Sequence, residues 1–177
     1  TISPGGGIWR STNSGESWTQ SQGLPNLNFS VLASSYDAST DQIQLFAGTG
    51  EGFWAEKTGL YNISAARGAG IYHSSDEGLT WKLVRNTNLP QFSYIYSLLV
   101  HPTNPNVLLA STPNGVYRIN RVNTDPRRSF GITRVTTTPL AKLHLVPGTD
   151  TVIAGTETTG QVARGPSFGS TWAFSAA

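Results

Sequence analysis

Short apolar runs separated by turn-forming residues extend along the whole chain. The runs are four to seven residues long and are bounded by Gly, Pro, Asn and Asp, which is the pattern of β-strands. In one representative stretch they predict four consecutive strands, at residues 94–100, 107–112, 115–119 and 131–136. No pattern outside residues 53–67 indicates a helix of three or more turns. We therefore predict an all-β protein built from four-stranded antiparallel units.

An octapeptide recurs between these strands. Its clearest copy has the pattern S-x-D-x-G-x-T-W and contains Ser74, Asp76, Gly78, Thr80 and Trp81. An earlier copy has Asn in place of Asp, and a later copy keeps only Gly, Thr and Trp; their matching residues are Ser11, Asn13, Gly15 and Trp18, and Gly169, Thr171 and Trp172. A fourth, degenerate copy at residues 123–130 keeps Asp125 and ends at Phe130. Recurrence at this scale indicates a repeat architecture.

Two further blocks recur in the same order around the octapeptides. One reads Gly-Ile-Trp-Arg at 7–10, Gly-Ile-Tyr-His at 70–73 and Gly-Val-Tyr-Arg at 115–118. The other reads Leu-Phe-Ala-Gly-Thr at 45–49, Leu-Leu-Ala-Ser-Thr at 108–112 and Val-Ile-Ala-Gly-Thr at 152–156. The aromatic residues that end the octapeptides are 63, 49 and 42 residues apart. The last two spacings match the roughly 40–50 residue period of propeller blades, and an insertion at 53–67 lengthens the first.

The octapeptide has the chemistry of a turn. Asp76 can accept hydrogen bonds from nearby backbone N–H groups, and Gly78 can adopt a positive φ without steric cost. Thr80 and Trp81 then begin the next strand, with the indole covering the hairpin. The oxygens of Ser74, Asp76 and Thr80 also suggest a metal site, but one carboxylate is few for a hard cation. We predict a structural turn, with no metal and no cofactor.

These motifs resemble the Asp-box, or bacterial neuraminidase, repeat of sialidases, xyloglucanases and sortilin-like receptors, and especially the repeats of large secreted bacterial propellers. The resemblance covers almost the whole chain and implies an extracytoplasmic protein: secreted, periplasmic or at the cell surface. It implies a β-propeller segment of about three and a half four-stranded antiparallel blades with Asp-box hairpins. The segments are a half blade at 1–25, a blade with the insertion at 26–88, and blades at 89–137 and 138–177.

Composition narrows the classes of partner. Charged residues make up 12% of the chain and the net charge is +2, which does not indicate a nucleic-acid partner. No apolar run approaches the roughly 20 residues of a membrane span. The absence of cysteine excludes disulfides, thiolate metal sites and cysteine catalysis.

The insertion is the best candidate for a binding site, because long loops on a rigid scaffold often carry function. Its exposed aromatic side chains would suit a glycan or a protein ligand. The alternative is that Phe53 and Trp54 pack over the edge of the blade. The candidate ligand-binding residues are Glu51, Phe53, Trp54, Tyr61 and Arg67.

No set of catalytic residues is evident. The early Arg-Ile-Pro motif of sialidases is absent, and glycoside hydrolysis needs two carboxylates that face one glycosidic bond. We therefore expect a non-catalytic binding or scaffold module that mediates protein or glycan contacts. The alternative is a fragment of a xyloglucanase-like glycoside hydrolase, which neighbouring sequence would distinguish. Because an incomplete propeller exposes apolar blade faces, we also expect further polypeptide to complete it: the same protein, a second copy or a larger assembly.

Overall fold

The computed structural model describes residues 1–3, 5–51, 66–84, 94–121, 130–156 and 159–176. These residues form four antiparallel sheets, and the prediction of an all-β protein is confirmed. The chain divides into two compact units. Among the described residues, the first unit holds Thr1–Val84 with Tyr94 and Ile95, and the second begins at Tyr96.

The first sheet contains three short strands that follow one another in chain order. The half blade expected at 1–25 corresponds to two strands of a four-stranded blade, whereas the structure has three strands in this segment. A two-residue strand before Gly5 pairs with the strand that follows it. A strand of two residues is too short to show an alternation of apolar and polar positions in the sequence. The strands are β1 (Ile2–Ser3), β2 (Gly7–Arg10) and β3 (Thr19–Gln20).

The second sheet completes the first unit. Its four strands are connected in chain order, and the last of them is a two-residue edge strand. Phe29, Ala47 and Tyr72 of this sheet pack with Ile8 of the first sheet in one apolar cluster. The strands are β4 (Phe29–Asp37), β5 (Gln42–Thr49), β6 (Ile71–Ser74) and β7 (Lys82–Leu83).

The third sheet also has four strands in chain order. They agree with the four strands predicted from the apolar runs, apart from shifts of one to three residues at their ends. The strands are β8 (Ser97–Val100), β9 (Val107–Thr112), β10 (Gly115–Arg121) and β11 (Phe130–Thr136).

The fourth sheet packs against the third within the second unit. Val107, Leu109 and Val116 of the third sheet share an apolar cluster with Leu143 and Val152 of the fourth. The only helix among the described residues is one turn, α1 (Pro166–Gly169), and two of its residues are not helical in φ and ψ. The strands are β12 (Leu140–Leu145), β13 (Val152–Thr156), β14 (Val162–Gly165) and β15 (Ala173–Phe174).

The backbone repeats along with the sequence. The glycine at the start of each Gly-Ile-Trp-Arg-like block has a positive φ: 73° at Gly7, 109° at Gly70 and 106° at Gly115. Such a φ is rare for residues with a side chain, so the three blocks share a backbone feature that accounts for glycine at their first position. Each sheet lies inside one of the four segments drawn from the sequence.

Candidate functional site

The second octapeptide forms a closed turn between β6 and β7. The carboxylate of Asp76 accepts hydrogen bonds from the Ser74 hydroxyl at 2.7 Å, the Thr80 N–H at 2.9 Å and the Thr80 hydroxyl at 2.5 Å. The Ser74 hydroxyl oxygen accepts the Gly78 N–H at 2.9 Å, and the Trp81 indole N–H donates to the Gly78 carbonyl at 3.1 Å. The polar atoms of the motif are therefore directed at the turn itself.

The first octapeptide, between β2 and β3, repeats this network with Asn in place of Asp. Oδ1 of Asn13 accepts from the Ser11 hydroxyl at 2.9 Å and from the Ser17 N–H at 3.0 Å. The Ser11 hydroxyl oxygen accepts the Gly15 N–H at 2.9 Å, and the Trp18 indole donates to the Gly15 carbonyl at 3.1 Å. One bond is reversed, because the Asn13 amide donates to the Ser17 hydroxyl at 2.9 Å. The turn can therefore be closed by an Asp carboxylate that accepts this hydrogen bond or by an Asn amide that donates it.

The third octapeptide keeps the backbone bend but not the side-chain network. Its first position is Gly165, which has no hydroxyl, and the buried Trp172 indole N–H has no hydrogen-bond partner among the described residues. Phe168 is fully buried instead, with its ring centroid 4.6 Å from that of His101. Thr171 is exposed. In all three turns the fourth and fifth residues have positive φ, namely Ser14 and Gly15, Glu77 and Gly78, and Phe168 and Gly169.

Hydrogen bonding sets the charge state of Asp76. Its partial burial acts to raise the pKa, but the hydrogen bonds from Thr80 and Ser74 outweigh this effect and lower the pKa to about 2. The carboxylate is therefore ionised at neutral pH, and it serves the turn as an acceptor. A group in this state is suited to structure rather than to proton transfer near pH 7.

The two ends of the insertion are joined by hydrogen bonds. The Glu51 N–H donates to the Ala66 carbonyl at 3.0 Å, and the Ala66 N–H donates to the Glu51 carboxylate at 3.1 Å. Beside them, the Asn26 amide donates to the Arg67 carbonyl at 3.1 Å. Of the candidate ligand-binding residues, Glu51 and Arg67 thus lie at the base of the insertion. The others, Phe53, Trp54 and Tyr61, lie outside the described residues.

A groove of about 230 Å³ lies between the first and second sheets, within the first unit. Trp9, Trp18 and Trp81 line it, with Leu32 and Leu45 on the sheet side. Trp9 and Trp18 are 37% and 46% exposed, so their rings are accessible. The sequence marked Trp18 and Trp81 as turn residues and did not identify the groove, although the aromatic position of the Gly-Ile-Trp-Arg block was a signal for Trp9.

The indole N–H groups and the charged pair around this groove are bonded within the chain. The Trp9 indole N–H donates to the Gly6 carbonyl at 2.7 Å, as the other two indoles donate within their turns. The Arg10 guanidinium donates to the Glu77 carbonyl at 2.9 Å and lies 3.1 Å from the Glu77 carboxylate. The groove therefore presents mainly aromatic and aliphatic surface, with one ion pair at its margin.

Two negative findings apply to the described parts of the chain. No three His, Cys, Asp or Glu side chains there are grouped so that they could hold a metal ion. Within the same ranges, no helix has the length and apolar character needed to span a bilayer.

No protein-family model matches this chain, and no curated protein matches its sequence. The relation to Asp-box proteins therefore stays a prediction based on the residues quoted above.

Proposed function

We propose that this chain is part of a β-propeller and serves as a non-catalytic binding and scaffold module outside the cytoplasm, mediating protein or glycan contacts. The observation that carries the proposal is the repeated turn. Asp76 and Asn13 organise equivalent hydrogen-bond networks that differ in the direction of one bond, and all three turns share a pair of left-handed residues. A motif whose polar atoms close its own backbone is a scaffold element, so it supports repetition rather than chemistry.

The connectivity of the sheets supports the propeller. Three of the four sheets are four-stranded antiparallel meanders whose strands follow one another in chain order. A propeller blade is a sheet of this kind, repeated around a central channel. In the proposed arrangement β4, β8 and β12 are the innermost strands, and the octapeptides form the outermost hairpins.

The described carboxylates support a non-catalytic role because several of them stabilise the backbone or pair with a neighbour. The pairs are Asp37 with Ser39, Asp41 with Tyr36, Glu51 with Ala66, Asp76 with Thr80, and Glu77 with Arg10. A glycoside hydrolase instead needs two carboxyl groups directed at one sugar bond.

The partly exposed side chains of Leu32, Tyr36 and Ile43 favour a protein partner over a glycan.

The test is a hydrolysis assay on the 177-residue chain with xyloglucan as substrate, compared with the Glu51→Gln variant. We expect no release of reducing ends from either protein. Release by the unmodified chain that is lost in the variant would refute the non-catalytic role and favour the hydrolase alternative.

A further inference from the structure

A polar cavity adjoins the tryptophan groove within the first unit. It has a volume of about 310 Å³ and is bounded by β3 and by the first and second octapeptide turns. Leu79, which is 62% exposed, gives it one apolar side chain. Most of its lining consists of hydroxyl and carboxamide side chains, those of Thr12, Ser17, Thr19, Gln20, Ser21 and Gln22.

The polar cavity and the groove share a border, because Arg10 and Gly78 line both of them. Hydrogen bonds join the two turns at this border. The Arg10 guanidinium donates to the carbonyl and the carboxylate of Glu77, and the Ser21 hydroxyl donates to the Gly78 carbonyl at 3.1 Å. The combined volume is within the roughly 300–1,000 Å³ of small-ligand sites. The two cavities can therefore hold one ligand that extends across Arg10.

Hydrogen-bonding groups remain available in the polar cavity. The hydroxyls of Thr12 and Thr19 make no hydrogen bond within the described residues. The Gln20 and Gln22 amides donate to the carbonyls of Gly6 at 2.9 Å and of Gln20 at 3.1 Å, which orients both side chains. Their Oε1 oxygens can still accept. The cavity thus offers both donors and acceptors to a ligand that carries hydroxyl groups.

The groove offers aromatic faces instead of polar groups. Its three indole N–H groups are bonded to backbone carbonyls of the chain, which fixes the orientation of the rings. Trp9 and Trp18 are both partly exposed. The face of an indole carries partial negative charge and attracts the positive edge of polarised C–H groups. A ligand in the groove is therefore contacted through its C–H groups.

The charges around the two cavities are balanced. Arg10 and Glu77 are the only charged side chains among the described residues that line either cavity, and they lie 3.1 Å apart. An anionic or cationic ligand would have to compete with this ion pair. An uncharged molecule with many hydroxyl groups and an apolar C–H face fits the whole lining, and a pyranose ring has this chemistry.

We propose that the tryptophan groove and the polar cavity form one binding site for a neutral oligosaccharide. One pyranose ring packs against Trp9 and Trp18, and the hydroxyls of the next ring bond to Thr12, Thr19 and Gln22. The inference rests on the proposed binding function and deepens it by naming a ligand class and its site. Tyr36 and Ile43, which favour a protein partner, line neither cavity, so the glycan has a largely separate surface.

The probe is a printed array of hexasaccharides to which the full 177-residue chain is applied. The array carries neutral glucans, mannans, galactans and xylans, and acidic fragments of polygalacturonate. We expect retention on at least one neutral series and weaker retention on the acidic one. Titration calorimetry with the retained hexasaccharide then gives the Kd, which should not change with salt because no charge of the ligand is involved.

Two variants locate the site. Trp18→Ala removes a stacking face and should raise the Kd by about tenfold or more. Phe174→Ala is its matched control, because Phe174 is 38% exposed and lines neither cavity, and it should leave the Kd unchanged. Thr19→Val removes one hydroxyl and should raise the Kd by about threefold or more. Thr171→Val, at an exposed threonine outside both cavities, is the control for this change. Circular dichroism confirms that the variants are folded.

Three outcomes would overturn the proposal: no retention on any neutral series, stronger retention on the acidic series, or an unchanged Kd for Trp18→Ala. Each of them leaves the non-catalytic scaffold role intact, because that role is tested by the release of reducing ends. Release of reducing ends from a bound oligosaccharide would instead refute the non-catalytic role and leave the binding site in place. The two failures are therefore distinguishable.

Discussion

The carboxylate of Asp76 accepts two hydrogen bonds from Thr80, one from its backbone N–H at 2.9 Å and one from its hydroxyl at 2.5 Å. With the bond from Ser74, these contacts join the end of β6 to the residue before Trp81. One side chain thus closes the whole turn, and its removal should be felt in the stability of the sheet.

Replacing Asp76 by Ala should lower the free energy of unfolding by about 1–2 kcal/mol, because an ionised acceptor with several donors is lost. Chemical denaturation of the full chain measures this change. Asp76→Asn is the control and should cost clearly less, because Asn13 holds the equivalent turn in the first sheet. Equal losses in the two variants would contradict a turn held by these hydrogen bonds.

The low pKa of Asp76 predicts a specific pH dependence. The group has a pKa of about 2 in the folded chain, below the ordinary value of about 3.9. Its contribution to stability is therefore fully present above about pH 4 and is lost as the pH falls toward 2. The unfolding free energy of Asp76→Asn should fall less than that of the unmodified chain over this window. Parallel curves would show that Asp76 is not the responsible group.

The two box tryptophans should differ in their contribution. Trp81 packs against the cluster that includes Phe29 and Tyr72, whereas Trp18 is 46% exposed. We expect Trp81→Ala to lower the free energy of unfolding by about 3 kcal/mol, and Trp18→Ala to lower it by about 1 kcal/mol or less. Thermal and chemical melts of the two variants test the order. A larger loss for Trp18→Ala would contradict it.

Gly48 and Gly155 occupy the same position of a repeated block but have different surroundings. A Cβ at Gly48 would lie 2.6 Å from side-chain atoms of both Ile95 and Val31, whereas nothing lies within 4 Å of a Cβ at Gly155. Gly48→Ala should therefore cost about 1–3 kcal/mol of stability through overpacking. Gly155→Ala should be neutral or slightly stabilising, because it restricts the unfolded chain. Denaturant midpoints compare the pair, and similar losses would refute this account of the packing.

The sequence was most informative where a local pattern determines the structure. Apolar runs between turn residues located β8 to β11 to within a few residues, since strand formation there follows the pattern itself. The two-residue strand β1 was missed because its existence depends on pairing with β2 rather than on its own residues.

Features that depend on neighbouring elements were not predictable. Leu32 and Leu143 follow similar patterns, yet one is exposed and the other buried, because only the strands packed above them differ. The groove beside Leu32 arises from the meeting of two sheets, and no single segment encodes it. In the third turn, a recognisable sequence repeat does not preserve the hydrogen-bond network, because Gly165 replaces the serine whose hydroxyl the network needs.

The propeller is the central claim, and a high-resolution cryo-EM or crystal structure of the native assembly tests it most directly. We expect the four sheets to be arranged face to face around a common axis, with β4, β8 and β12 nearest to it and the octapeptide turns at the periphery. Sheets stacked as a sandwich, or arranged with these strands on the outside, would contradict the account.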